Sequence, residues 1–168
     1  MQRIKSTVEK QGTQLSNWKI RINRGILTGY NKAFYLNDHQ RAALIKADPK
    51  SEDLIVPLLR GRGVSRYAID WDKLDADDEK WLINAHNGLK ESKLPAIDVK
   101  RDYPAIWKHL QEYESILVKR LDQGDDWSNL RNCAYLEDFS KPKIIYPNIT
   151  KFMPFFYDEN KYFSNDAT

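Results

Sequence analysis

The sequence predicts a single α+β domain with short mixed and antiparallel strands and a few helices, of which the longest covers about residues 103–122. Segments with apolar residues at helical spacing alternate with short apolar runs typical of strands. The 168 residues are enough for one hydrophobic core, whereas two halves would each be small for independent stability. A hydrophobic content of 41% with 30% charged residues is typical of a globular protein.

The N-terminal residues predict a short helix followed by a strand. Ile4 and Val8 lie four residues apart just before Gly12, so residues 1–11 are expected to form a linker helix that ends at a glycine cap. Residues 18–22 alternate apolar with basic side chains, which is the pattern of a half-buried strand.

A second strand and a capped helix are predicted next. Residues 33–36 are apolar and aromatic, so residues 18–36 are expected to form a pair of strands around an irregular loop that contains glycine. Asn37 or Asp38 then caps a helix that continues to about Ala47, where Asp48 and Pro49 end it.

The remainder of the chain predicts further short strands and the longest helix. That helix begins near Pro104, has apolar residues at steps of three and four, and stops before Gly124. Residues 70–79 contain six acids but lack the regular ligand spacing and central glycine of a calcium loop, so they predict a solvated loop. Strand-like runs occupy residues 65–69, 81–84 and 143–146.

Basic charge is concentrated in the first 67 residues. They carry 13 Lys and Arg against 5 Asp and Glu, whereas residues 68–168 carry 14 against 19. Such a basic part suits a polyanion, because phosphate neutralisation supplies most of the sequence-independent affinity for nucleic acid. Ordinary surface charge that disperses in space is the alternative, and charge alone does not decide between them.

Several kinds of site are missing from the sequence. No apolar run is long enough to span a bilayer, and the N-terminus lacks the apolar core of a signal peptide. Cys133 is the single cysteine, which fits a reducing cytoplasm and is interpreted as a small buried hydrophobe. The glycine-rich nucleotide loops are absent, and the three histidines lack the spacing of a zinc site. We therefore predict no catalytic, cofactor or metal site in this chain.

Two alternatives stay open beside a nucleic-acid-binding role. Glu159 and Lys161, preceded by Asp158, form a triplet of the kind that holds magnesium in restriction nucleases, which keeps a magnesium-dependent nuclease as one alternative. The other is a protein-interaction domain whose acidic residues 70–79 face a basic partner.

Three groups of residues suit contacts with DNA. Arginines around two glycines can bridge phosphates or hydrogen-bond a guanine edge. Hydroxyl, amide and ammonium groups that follow one another in a loop suit base edges and phosphates. A tyrosine near two lysines combines a stacking surface with positive charge. The three groups are Arg60, Arg62 and Arg66; Thr28, Asn31 and Lys32; and Lys141, Lys143 and Tyr146.

Several blocks of the sequence resemble, in order, the TaqI-like specificity domain of adenine-specific restriction-modification enzymes. The signature block includes Arg24 and the residues 25–34, and a lead-in precedes it at residues 12–18. The resemblance covers about residues 12–160, with further similar blocks at residues 55–67, 103–110, 119–124, 127–131 and 139–147.

The resemblance implies a non-catalytic target-recognition domain that occupies residues 1–168 and is truncated at one or both ends. In that family the domain follows an adenine methyltransferase domain that uses S-adenosylmethionine, and a nuclease is often fused as well. The Asn-Pro-Pro-Tyr methyltransferase motif is missing here, so S-adenosylmethionine, and magnesium where the parent cleaves, are expected for the type IIG-like parent enzyme only. The implied partners are double-stranded DNA and the methyltransferase domain of the same cytoplasmic parent chain.

The resemblance also implies a division of labour among the candidate residues. Phosphates are expected to bind basic side chains, whereas base edges are expected to contact Thr28, Asn31 and Arg66. The phosphate-binding residues are Lys32, Arg60, Arg62 and Lys143, and the predicted DNA-binding set is completed by Arg24, Lys141 and Tyr146.

Overall fold

A four-stranded sheet joins segments from the N-terminal, central and C-terminal parts of the chain. The computed structural model describes residues 2–71, 74–121, 123–148, 151, 154–159 and 162–165, with the side chains of Gln2 and Arg62 left out. Within these residues the strands are β1 (Tyr35–Leu36), β2 (Ile55–Leu59), β3 (Val64–Ser65), β4 (Ala68–Ile69), β5 (Trp81–Ile83), β6 (Lys143–Ile145), β7 (Phe156–Asp158) and β8 (Phe163–Ser164).

Short α-helices accompany this sheet, and the fold class is α+β, as the sequence predicts. The α-helices of the described part are α1 (Gln2–Gln11), α2 (Asn31–Phe34), α3 (Asp38–Ala47), α4 (Val99–Asp102), α5 (Pro104–Gln111) and α6 (Glu114–Leu117). None of them is both long and apolar enough to cross a bilayer.

The sheet has the strand order β1-β5-β2-β8. Strand β5 is antiparallel to both β1 and β2, whereas β8 runs parallel to β2. Leu82 and Ile83 of β5 are fully buried, as expected for a central strand. Strands β3 and β4 form a separate hairpin, and β6 and β7 form another. Ile26 extends the β8 edge through a single parallel bridge to Asn165.

The core lies between the sheet and helices α5 and α6. Ile106 and Leu110 of α5 and Leu117 of α6 are fully buried in the same apolar cluster as Leu58 and Leu82 of the sheet. His109 of α5 approaches the carbonyl oxygen of Ala33 at 3.0 Å. Burial lowers the pKa of His109, because the interior disfavours the charged imidazole.

Helix α3 begins where the sequence predicts it. The Asn37 side chain accepts a hydrogen bond from the backbone N–H of Gln40 at 2.8 Å, and the Gln40 side chain accepts one from the backbone N–H of Asn37 at 3.0 Å. This reciprocal pair is a capping box, which satisfies two donors that a helix start otherwise leaves free. The predicted strands at residues 81–84 and 143–146 and the N-terminal helix are also confirmed.

The predicted helix over residues 103–122 is divided in the structure. Helix α5 ends at Gln111, α6 covers only Glu114–Leu117, and the longest helices are α1 and α3 with ten residues each. Tyr113 leaves the helical conformation at φ −110° and ψ 2°. The spacing of apolar residues reflects which side chains are buried. Leu110 and Leu117 are buried on either side of the break, so the apolar pattern continues although the helix is interrupted.

The predicted strand at residues 18–22 is wrong. This segment is irregular, with the backbone N–H of Ile20 donating to the carbonyl oxygen of Trp18 at 2.9 Å, and it pairs with no strand of the described chain; Ile20 and Ile22 are exposed. Its expected partner at residues 33–36 is used elsewhere, because Ala33 and Phe34 complete α2 while Tyr35 and Leu36 pair with β5.

Arg120 is a buried cation that joins three segments of the chain. Only 9% of the residue is exposed, and its guanidinium donates hydrogen bonds to backbone carbonyls at four places. The distances are 3.2 Å to Leu117, 2.6 Å to Trp127 and 2.9 Å to Asn129, and a fourth bond reaches Thr28. The guanidinium carbon lies 5.2 Å from the centre of the Phe34 ring, within cation–π range.

We expect Arg120→Met to destabilise the fold by about 2–4 kcal/mol, because buried carbonyls would lose their donors at a cost of about 1–3 kcal/mol each. The measurement is urea unfolding followed by circular dichroism. Arg101→Met is the matched control: Arg101 is exposed and paired with Asp102, and exposed ion pairs contribute little. Equal destabilisation by both substitutions would contradict this role of Arg120.

Candidate nucleic-acid interface

A groove of about 1060 Å³ lies between the irregular segment 20–25 and the hairpin formed by β6 and β7. Four of the predicted DNA-binding residues line it: Arg24, Lys141, Lys143 and Tyr146. They come from two parts of the chain that are more than a hundred residues apart. The fold therefore brings together one part of the predicted set.

Asp138 fixes the first wall of the groove. Its Oδ2 accepts hydrogen bonds from Asn23 Nδ2 at 3.0 Å and from Arg21 Nη1 at 3.4 Å. The backbone N–H of Ile26 donates to the carbonyl oxygen of Ser164 at 2.7 Å, and the Ile26 side chain is buried. The segment 20–25 is thus held by Asp138 through Arg21 and Asn23, and by β8 through the Ile26 residue that follows it, although it belongs to no strand.

A buried ion pair fixes the second wall. Asp158 of β7 is fully buried and binds the ammonium group of Lys143 on β6, which lies directly opposite in the antiparallel register. Lys143 Nζ also donates to the carbonyl oxygen of Phe139 at 2.7 Å, and Asp158 accepts from the backbone N–H of Tyr162 at 3.0 Å. Lys143 therefore positions the hairpin, since its charge is already neutralised within the protein.

The described lining of the groove carries a surplus of positive charge. Arg21, Arg24, Lys141 and Lys143 are cationic, and Asp138 is the acidic member. Lys141 Nζ donates to Asp138 Oδ1 at 2.8 Å, and this hydrogen bond, assisted by Asn23 and Arg21, lowers the pKa of the Asp138 carboxyl. Arg24 is exposed, and no hydrogen bond or ion pair joins it to the described part of the chain. Its guanidinium is available to an anion.

The hairpin turns an apolar face toward the groove. The antiparallel register pairs Ile144 with Tyr157 and places Tyr146 and Phe155 beyond them on the same face. All four side chains are exposed at this surface and line the groove. The rings of Tyr146 and Phe155 lie 5.8 Å apart at 56°.

Thr28, Asn31 and Lys32 lie away from the described lining of the groove. Thr28 is buried; its hydroxyl donates to Asn31 Oδ1 at 2.6 Å and accepts from the backbone N–H of Tyr30 at 3.1 Å. Asn31 and Lys32 are exposed at the start of α2. The Thr28 side chain stabilises the turn that Arg120 holds, and its predicted contact with a base edge remains a prediction.

The arginine cluster lies beside the groove. Arg60 pairs with Glu79, which anchors one end of the predicted acidic loop. Arg66 is exposed, with its guanidinium carbon 5.3 Å from the centre of the Tyr67 ring. The side chain of Arg62 lies outside the described part of the structure. The backbone N–H of Tyr67 donates to the carbonyl oxygen of Phe155 at 3.0 Å, which attaches the hairpin of β3 and β4 to the groove wall.

Sequence reasoning missed Asp138, and it named Asp158 only as the acid before the nuclease triplet, whereas the structure shows it as the partner of Lys143 in the second wall. A signal for Asp158 exists, because residues 143–146 begin with a lysine and residues 155–158 end with an aspartate, and these opposite charges face each other once the two apolar runs pair antiparallel. For Asp138 the only local signal is Lys141, three residues later, and its partners in the first wall, Arg21 and Asn23, are distant in sequence.

The residues behind the two alternatives are only partly described. Glu159 is exposed, but Asn160 and Lys161 of the nuclease triplet lie outside the described residues. Asp158 is buried against Lys143, a poor arrangement for a magnesium ligand. Asp72 and Lys73 of the acidic segment 70–79 also lie outside the described residues. No group of three His, Cys, Asp or Glu side chains gathers as a metal site anywhere in the described ranges. Cys133 is half-buried, and burial raises the pKa of its thiol.

We predict that Asp138 stabilises the fold in a pH-dependent way. Its folded-state pKa lies below the ordinary value of 3.8, so its contribution is fully present above that pH and is lost as the pH falls through the lower, folded-state pKa. Urea unfolding of the wild type and of Asp138→Asn should therefore show a difference at pH 7 that narrows toward pH 3. A difference that widens on acidification would contradict the prediction.

Comparison with known proteins assigns no family to the chain. No family model matches the sequence, and no curated protein gives a significant match. The functional proposal therefore depends on the residues of the groove and on the resemblance of the ordered sequence blocks.

Proposed function

We propose that this chain is the DNA-recognition domain of a cytoplasmic restriction-modification enzyme. It is non-catalytic and positions double-stranded DNA for adenine methylation or cleavage by other domains of the parent chain. The observation that carries the proposal is the convergence of Arg24, Lys141 and Arg21 on one groove with Tyr146.

Charge supports a polyanionic ligand. Arg24 has no partner among the described residues, and Lys141 is an exposed residue of the same groove lining with Asp138 as its counter-ion. A phosphate can exchange for the carboxylate at Lys141 and bind Arg24 directly, releasing the counterions that surround DNA. The basic excess of residues 1–67 adds attraction over a longer distance.

The resemblance of the ordered sequence blocks to the TaqI-like specificity domain supports the more specific part of the proposal. It supplies the methyltransferase domain as the partner and S-adenosylmethionine as the cofactor of the parent enzyme. Within this chain, Arg24 and Lys141 are assigned to phosphates, Lys143 positions the hairpin, and Arg66 is the candidate for base contacts at the neighbouring hairpin of β3 and β4.

Duplex binding by the isolated chain is expected to weaken as salt rises. Arg24→Gln should reduce affinity and lower the slope of log affinity against log salt by about one, because one phosphate contact is lost. Lys108→Gln is the control, since it removes an exposed charge from α5 outside the groove lining and should leave the slope unchanged. Fluorescence anisotropy with a labelled duplex measures both.

Two results would overturn the proposed function. One is binding no stronger than that of an acidic control protein at low salt. The other is magnesium-dependent cleavage of DNA that is lost in Glu159→Ala, which would make the chain itself a nuclease.

A further inference from the structure

The hairpin of β6 and β7 has its polarity reversed relative to a usual surface hairpin. The buried face holds the charged pair of Lys143 and Asp158, together with Ile145 and Phe156. The open face holds Ile144, 63% exposed, Tyr157, 58% exposed, and the rings of Tyr146 and Phe155. An antiparallel sheet with one wet face normally directs polar side chains to water. A contiguous apolar face of this kind marks a binding surface.

The composition of this surface indicates what covers it. Three of its four side chains are aromatic, and aromatic rings with cations beside them suit bases whose faces are free. Arg24 and Lys141 line the same groove, at a position to bind the phosphates that join such bases. In a fully paired duplex the base faces are stacked on one another, so they cannot cover exposed rings.

We propose that the open face of this hairpin stacks unpaired bases of a DNA strand whose phosphates bind Arg24 and Lys141. This inference rests on the proposed DNA-binding function and specifies the form of DNA that the groove takes: a strand that is single or locally opened. Tyr157 is the principal stacking residue, because it is the most exposed of the aromatic residues on the face. The tilted pair of Tyr146 and Phe155 forms the second platform.

The test separates bases from phosphates. Anisotropy is measured with a labelled single strand of about ten nucleotides, the same strand with abasic residues, and the same strand paired in a duplex. The intact strand is expected to bind about a hundredfold more tightly than the abasic strand, which corresponds to the stacking of two bases, one on each platform. It is also expected to bind more tightly than the duplex.

The key variant is Tyr157→Leu, which keeps an apolar side chain and removes the ring. It should reduce binding of the intact strand about tenfold and leave the abasic strand unchanged. Trp18→Leu is the matched control, because Trp18 is also 58% exposed and is outside the described lining of the groove. It should change neither affinity. Circular dichroism and thermal unfolding check that each variant is folded.

The outcomes distinguish this inference from the proposed function. If the duplex binds with the salt dependence set by Arg24 while intact and abasic strands bind equally, the stacking role is wrong and the DNA-binding function stands. If no form of DNA binds, both are wrong. A dimer in sedimentation that Ile144→Ser converts to a monomer would also overturn the inference, since a second copy of the chain would then cover the face.

Discussion

The buried guanidinium of Arg120 is the interaction on which the arrangement of the remaining segments depends. It holds the loop of Thr28, the end of α6 and residues 127–129 through carbonyl oxygens, with no carboxylate as partner among the described residues. Desolvation lowers its pKa, yet an arginine remains charged, so the surrounding carbonyl dipoles must compensate for lost hydration. Gly29 makes room: its φ is 71°, and a Cβ there would lie 2.9 Å from Arg120 Cδ.

The groove, like the core around Arg120, is held in shape by polar side chains that bind other groups of the protein. Each wall is held by one carboxylate, Asp138 for the irregular segment 20–25 and Asp158 for the hairpin. Three of the cations near the groove, Arg21, Lys141 and Lys143, bind these carboxylates, and Arg21 and Lys143 connect separate segments and so maintain its shape. Arg24 has no such role, which is why it is the better candidate for contact with a ligand. Whether a basic residue at this site contacts a ligand or supports the fold therefore depends on its partners within the protein as much as on its position.

Sequence reasoning succeeded where the determinants are local. The capping box of Asn37 and Gln40 lies within four residues, so helix α3 could be predicted together with its start. It failed at residues 18–22, because alternation states which side chains share a face but supplies no partner strand. For the site, the pattern identified Lys143 and Tyr146 as neighbours, whereas the function of Thr28 in a turn held by Arg120 depends on a contact across 92 positions.

The parallel pairing of β8 with β2 has a consequence for the order in which the molecule assembles. Leu58 lies opposite Phe163, about a hundred residues later, and Phe163 stacks on Phe139 with ring centres 4.6 Å apart. Pairs of such long separation raise contact order and slow folding, since a large loop must close before the contact forms. During synthesis, β1, β2 and β5 are made before β8, so one edge of β2 has no partner strand until β8 is made. The open edge of β2 therefore makes the incompletely folded chain more prone to wrong strand pairing than a helical protein of its size.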